Sequence, residues 1–189
     1  MQGAFMVLTE SAQKLKIGQP APAFSLSGTD GKIHSLGEFE QANALVIFFM
    51  CNHCPYVLAK LPSMKKLYET YRPRNVAFVG INSNNNPEYP EDDFEHMKKF
   101  VSENQIRFPY LFDESQSVAK TYGAVCTPDP FIFDSGMRLA YHGRIDDAMS
   151  PEAQPTTTDL AFALDDILMG RMPSGGFKPS RGCSIKWRA

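Results

Sequence analysis

Ala44-Leu45-Val46-Ile47-Phe48-Phe49-Met50-Cys51-Asn52-His53-Cys54-Pro55 is the stretch on which the reading of this chain turns. It opens with an unbroken apolar run, partly β-branched and of strand length. Such a run predicts a strand covered on both faces of a sheet. The run passes directly into C-x-x-C. Beyond Pro55, Val57, Leu61, Met64, Tyr68 and Tyr71 recur at spacings of three and four, the period of an amphipathic helix. Pro62 is expected to bend that helix and Pro73 to end it.

Working outward, Val76-Ala77-Phe78-Val79-Gly80-Ile81 reads as a second buried strand. After a polar loop from Asn82 to Pro90, the acidic Glu91-Asp92-Asp93 precedes a helical stripe of Phe94, Met97, Phe100 and Val101. Carboxylates there suit the positive end of a helix dipole. Tyr110-Leu111-Phe112 is a short strand. Asp113-Glu114-Ser115-Gln116 reads as a variant capping box opening a short helix to about Tyr122. Pro130-Phe131-Ile132-Phe133 and Arg138-Leu139-Ala140-Tyr141-His142 flank a turn and predict an antiparallel pair. Towards the N-terminus, residues 1–20 read as a lead-in, and Asp30-Gly31 marks a hairpin. A last helix runs from Thr158-Asp159 to Gly170, a capping glycine, and a Gly- and Pro-rich tail follows. This order predicts an α/β fold with a mixed central sheet flanked by helices. We expect one domain over residues 1–189, its core at about 18–170 and its tail at 171–189.

Composition agrees with an ordinary globular domain: 189 residues, 43% apolar, 21% charged, net charge -2. No basic block supplies a footprint for nucleic acid. No apolar run approaches a membrane span of about 20 residues, and the N-terminus lacks the basic and apolar regions of a secretory signal. The expected address is the cytoplasm, where structural disulfides are uncommon. The four cysteines then call for a chemical or packing role.

A cysteine at the start of a helix meets unpaired N–H groups and the positive dipole end, which favour thiolate. Spacing by three brings Cys54 to the same face as Cys51. The expectation is an exposed, acidic Cys51 that attacks and a deeper Cys54 that resolves. His53 and Asn52 tune the pair, with His53 adding charge or a hydrogen bond beside Cys51 and making the couple more oxidising. C-x-x-C also occurs in zinc sites, which need four ligands. There is no second pair, and His34, His96 and His142 are scattered, so the redox reading is preferred and no metal or cofactor is expected.

Phe48 to Val57, the entry segment Gly18-Gln19-Pro20-Ala21-Pro22-Ala23-Phe24, Ile81-Asn82-Ser83-Asn84, Tyr110 to Glu114, Thr127-Pro128 and Gly182-Cys183-Ser184-Ile185-Lys186-Trp187 together carry a resemblance. Over roughly residues 18 to 187 the chain resembles the thioredoxin superfamily. More narrowly, it resembles its peroxiredoxin-like redoxin branch of the alkyl hydroperoxide reductase/thiol-specific antioxidant type. The resemblance implies a thioredoxin-like fold with an N-terminal hairpin and an inserted segment at about 83–112. It implies a cis Pro128 that brings the Thr127 backbone against an incoming disulfide. It also implies thiol–disulfide exchange with a protein or small-molecule disulfide, with a thioredoxin or glutathione system as candidate electron donor. Two departures stand out. Met50 replaces the usual Trp, and Leu45 replaces the buried Asp that assists the resolving cysteine.

Two other functions stay open at this stage. Peroxiredoxins carry P-x-x-x-T-x-x-C; counted from Cys51 the Pro and Thr positions hold Ala44 and Phe48, and from Cys54 they hold Ile47 and Cys51. Peroxidase activity, with peroxide as substrate, is therefore the runner-up. A non-catalytic redox-sensing module is the third reading. Cys126 and Cys183 are accessory thiols whose commoner role is packing. The segment with His142, Arg144, Asp146 and Asp147 is expected to be a solvated turn, and His34 and His96 to lie on the surface. Asn84-Asn85-Asn86 is expected to form a loop.

Overall fold

The computed structural model describes residues 8–188, so the opening of the lead-in, residues 1–7, lies outside the described part. Its strands are β1 (Leu8–Glu10), β2 (Ser25–Gly28), β3 (Ile33–Ser35), β4 (Ala44–Phe49), β5 (Val76–Asn82), β6 (Tyr110–Phe112), β7 (Cys126–Thr127), β8 (Asp129–Asp134), β9 (Leu139–His142) and β10 (Arg181–Ser184). Its α-helices are α1 (Pro55–Tyr71), α2 (Phe94–Asn104), α3 (Ser117–Tyr122) and α4 (Asp159–Leu168).

Seven strands form one mixed sheet in the order β3-β2-β6-β5-β4-β8-β9. β4 runs parallel to β5 and antiparallel to β8. This is the thioredoxin-like arrangement expected from the sequence, with the β2–β3 hairpin at one edge and the expected 83–112 segment made of the connection after β5 together with β6. Three more strands, β1-β10-β7, make a second small sheet. Among the described residues no helix is long and apolar enough to cross a membrane.

β4 sits at the centre because both its faces are apolar. Side chains alternate across a strand, so Ala44, Val46 and Phe48 enter one core with Val57, Leu61 and Met64 of α1 and Leu160 and Leu164 of α4. Leu45, Ile47 and Phe49 enter the other with Val118 and Tyr122 of α3 and Ile185 of the tail. Each such buried side chain contributes about 1.5–3 kcal/mol. Leu45 is thus packed as a core residue. The aromatic residues Phe48, Phe49, Phe78, Phe131 and Phe133 are all buried, as their strand placement predicts.

α1 continues through Pro62 to Tyr71. Three local expectations need correction. Gln116 does not close a capping box: its amide donates to Ser83 O and Lys186 O, while Asp113 accepts the Val118 and Ala119 N–H groups at the head of α3. His34 is buried between Asp30 and Glu38, at 3.1 and 3.0 Å. His142 is buried against Asp129 at 2.9 Å, Asp146 is buried against Lys60, and Arg144 pairs with Asp159 at 2.9 Å. The 142–147 segment is therefore a packed polar network, not a solvated turn. His96 is exposed as expected.

Candidate active site

β4 ends at Phe49 and α1 begins at Pro55, so Cys51 to Cys54 form the crossing between them. Cys54 is the N-cap of α1, with Pro55 at the first helical position, where proline's missing N–H costs nothing. Cys51 stands ahead of the helix. Both cysteines are fully buried, as are Cys126 and Cys183.

One residue on the facing loop meets both sulfurs. Thr127 lies in β7, its bond to Pro128 is cis as the resemblance implies, and its Oγ1 is 3.1 Å from Cys51 Sγ. The protonated Cys54 thiol can donate to the Thr127 carbonyl at 3.3 Å. A third sulfur completes the cluster. β10 pairs antiparallel with β7, Cys183 opposite Thr127, and Cys183 Sγ stands 2.7 Å from Cys54 Sγ. Cys126 occupies the next register position, opposite Ser184. Its thiol is pushed far up by burial and by the neighbouring Asp129, so it stays protonated.

The expected exposure of Cys51 is not met, since its side chain is fully buried. Cys54 is driven well below the ordinary thiol range by its sulfur–sulfur hydrogen bonds with Cys183 and Cys51 and by the backbone N–H of Val57. Cys51 is pushed up by burial, by the Cys54 charge and by the nearby Asp92 carboxylate. These opposed directions favour the thiolate at Cys54, the N-cap of α1, over the buried Cys51. α1 starts one turn later than the sequence expectation placed it.

The inserted segment supplies a group the sequence reading passed over. Asp92 is 1% exposed. It accepts the Asn52 N–H at 2.7 Å and the Asn84 amide at 2.6 Å, and its Oδ2 is 2.6 Å from His53 Nδ1. Asn52 adds an amide donation to Glu91 O at 2.8 Å and accepts from Tyr110 Oη at 3.0 Å. Asn52 and His53 thereby fasten the C-x-x-C loop to residues 91–92. Glu91-Asp92-Asp93 looks like a helix start, yet only Asp93 caps α2, accepting from His96 N at 2.8 Å. Asp92 turns inward. Its signal was the run of amides ahead of it, since Asn82 and Asn84 are buried to hold it.

His53 stacks on Tyr89 with centroids 5.5 Å apart, and Lys186 of the tail covers the Tyr89 ring at 5.2 Å. Burial alone would lower the His53 pKa, but the Asp92 carboxylate, with Glu91 4.0 Å away, raises it. One donor atom each from Cys51, His53 and Asp92 lies within 4.8 Å of the others. These are the residues that could approach a divalent ion, but both Asp92 oxygens already accept protein N–H groups.

Comparison with known proteins identifies the family. The sequence profile of the AhpC/TSA family matches residues 17–142. The chain superposes on the crystal structure of an uncharacterized conserved protein from Geobacillus kaustophilus with a TM-score of 0.92, 42% identity and 98% of each chain covered. It is 27% identical over 124 residues to the thiol-disulfide oxidoreductase ResA of Bacillus thuringiensis subsp. konkukian. That match spans 65% of this chain and 66% of the relative. It is also 26% identical over 112 residues to a putative peroxiredoxin, bcp, of Helicobacter pylori, covering 59% of this chain and 68% of that protein.

Proposed function

This chain belongs to the AhpC/TSA family, and from that premise we propose that it is a thiol–disulfide oxidoreductase working through Cys51 and Cys54. The observation that carries the reading is the convergence of both sulfurs on Thr127, at 3.1 Å through Oγ1 and 3.3 Å through the carbonyl. Exchange needs a thiolate, a second sulfur in reach, and a backbone edge against which a substrate disulfide can lie. Cys54, as the thiolate, attacks one sulfur of the substrate disulfide and releases the other as a thiolate. That thiolate takes the Cys51 proton, and Cys51 attacks the Cys54 sulfur. This closes Cys51–Cys54 and frees the second substrate thiol. Substrates are disulfide-bearing proteins or small disulfides, and a thioredoxin or glutathione system returns the electrons. Cysteine usage without structural disulfides suits the cytoplasm.

A peroxidase reading has one observation in its favour, the Thr127 hydroxyl beside Cys51; the full burial of Cys51 opposes it. A sensing module that closes its dithiol without turnover is the remaining alternative. Trapping separates the three. Thiol release from oxidised glutathione by wild-type protein, abolished in Cys54→Ser, supports exchange. Rapid consumption of hydrogen peroxide with a sulfenic intermediate at Cys51 replaces it with the peroxidase. Oxidation without turnover under a reducing system leaves the sensor.

A further inference from the structure

Resting on the exchange reading above, we propose that Cys183 is a third redox thiol of the site. It resolves mixed disulfides on Cys54 by closing a Cys54–Cys183 disulfide. Cys183 reaches Cys54 at 2.7 Å, while the Thr127 hydroxyl engages Cys51 at 3.1 Å. The sequence builds this contact on purpose-made backbone. β10 lies antiparallel on β7 in the register that sets Cys183 against Thr127. The residue before it has to be glycine, because a Cβ on Gly182 would fall 1.9 Å from the Thr127 carbonyl oxygen.

Both ends of β10 are tied down. Ser180 donates through Oγ to Gly143 O at 2.9 Å, and its backbone exchanges bonds with Ser11 at 2.8 and 2.9 Å. Lys186 N donates to Asn84 Oδ1 at 2.8 Å, and Lys186 O accepts from Gln116 at 2.8 Å. On its outer side β1 completes the pairing, Leu8 opposite Cys183. The tail therefore occupies the edge of Thr127 that an extended substrate would use, with a sulfur where the substrate's sulfur would sit. Substrate enters as β10 lifts, and the returning strand brings the resolving thiol with it.

The chemistry balances without another oxidant. Cys54 thiolate attacks the substrate disulfide, forming a mixed disulfide and expelling one substrate thiolate. That thiolate takes the proton from Cys183. Cys183 thiolate attacks the Cys54 sulfur, the mixed S–S bond breaks, and the second substrate thiolate leaves. Two protein thiols are oxidised and one substrate disulfide is reduced, while Cys51 stays a thiol.

Cys51→Ser isolates this route. With oxidised glutathione as probe, Cys51→Ser is expected to release both glutathione halves, whereas Cys51→Ser/Cys183→Ser stalls after one and retains the other on Cys54. Trypsin cuts after Lys32, Lys60, Arg181 and Lys186. The product should therefore be a disulfide-linked pair of peptides, residues 33–60 joined to 182–186. A Cys51→Ser protein that stalls as the glutathione adduct with Cys183 still open to alkylation overturns the proposal. If that variant does not fold, the wild-type map serves: the linked pair supports the third thiol, and Cys51–Cys54 alone with peptide 182–186 alkylated overturns it. Failure of the exchange reading itself looks different, since wild-type protein would then release no glutathione at all.

Discussion

His53 Nδ1 lies 2.6 Å from Asp92 Oδ2, so the histidine of the C-x-x-C loop is paired with a carboxylate from the inserted segment. The pair joins two elements 39 positions apart, as the Asn52–Glu91 bond does. It also means that any positive charge on His53 is met by Asp92 before it acts on a sulfur.

Asp92→Asn should lower the His53 pKa, because the raised value depends on that carboxylate against the opposing effect of burial. Folded His53 binds its proton more tightly than the unfolded chain, whose value is near 6.5. The linked stabilisation is whole below that value and is lost as pH rises through the folded pKa. Imidazole NMR titration of wild type and Asp92→Asn measures the shift, and urea unfolding across the same range should show a flatter profile for the variant. An unchanged His53 titration would sink the pairing.

The resting anion should vanish with Cys54. Ultraviolet thiolate absorbance should persist in wild type to pH values well below the ordinary thiol range of about 8.5, because Cys54 is depressed by its sulfur–sulfur and N–H hydrogen bonds. Cys54→Ser should abolish the low-pH signal and Cys126→Ser should leave it. Retention of the signal in Cys54→Ser, with loss in Cys51→Ser, would return the anion to Cys51.

Gly182→Ala should pry β10 from β7, since the added methyl meets backbone at Thr127 and not a movable side chain. Alkylation of Cys54 proceeds through opening of that strand. A loss of ~1.4 kcal/mol in strand pairing corresponds to about tenfold faster labelling by iodoacetamide at fixed pH. Equal labelling rates would show that the strand is no cover.

His142→Ala should destabilise the protein by about 3–5 kcal/mol, the usual cost of removing one partner of a buried pair. Asp129 and His142 are both fully buried, with 2.9 Å between them. Phe131 stacks on the imidazole at 4.0 Å, so the truncation also opens a space beside that ring. Urea unfolding measures it, and a change under about 1 kcal/mol, as at an exposed pair, would contradict the burial.

The fold was legible where one residue type did one job. The β4 run announces a strand buried on two faces, and the three–four spacing after Pro55 announces α1. What escaped was polar burial, because hydropathy patterning treats an inward carboxylate and a solvated one alike. Asp92 was read with Glu91 and Asp93 as a helix start, and His142 as part of a surface turn. The site was half legible: the spacing of Cys51 and Cys54 predicts their proximity, and the resemblance implies a cis Pro128. The placement of Cys183 against Cys54 depends on a β10–β7 register between residues 56 positions apart, which no local pattern encodes. The helix start, shifted by one turn, puts Cys54 and not Cys51 at the N-cap.

β1 clasps the outer side of β10, so the two extremities of the described chain are laced together above the sulfurs. The amino-terminal strand thereby helps to hold in place the strand that carries Cys183. Trimming it, or anchoring it to another protein, would slacken or tighten the shutter and set how often the cysteines meet the outside world.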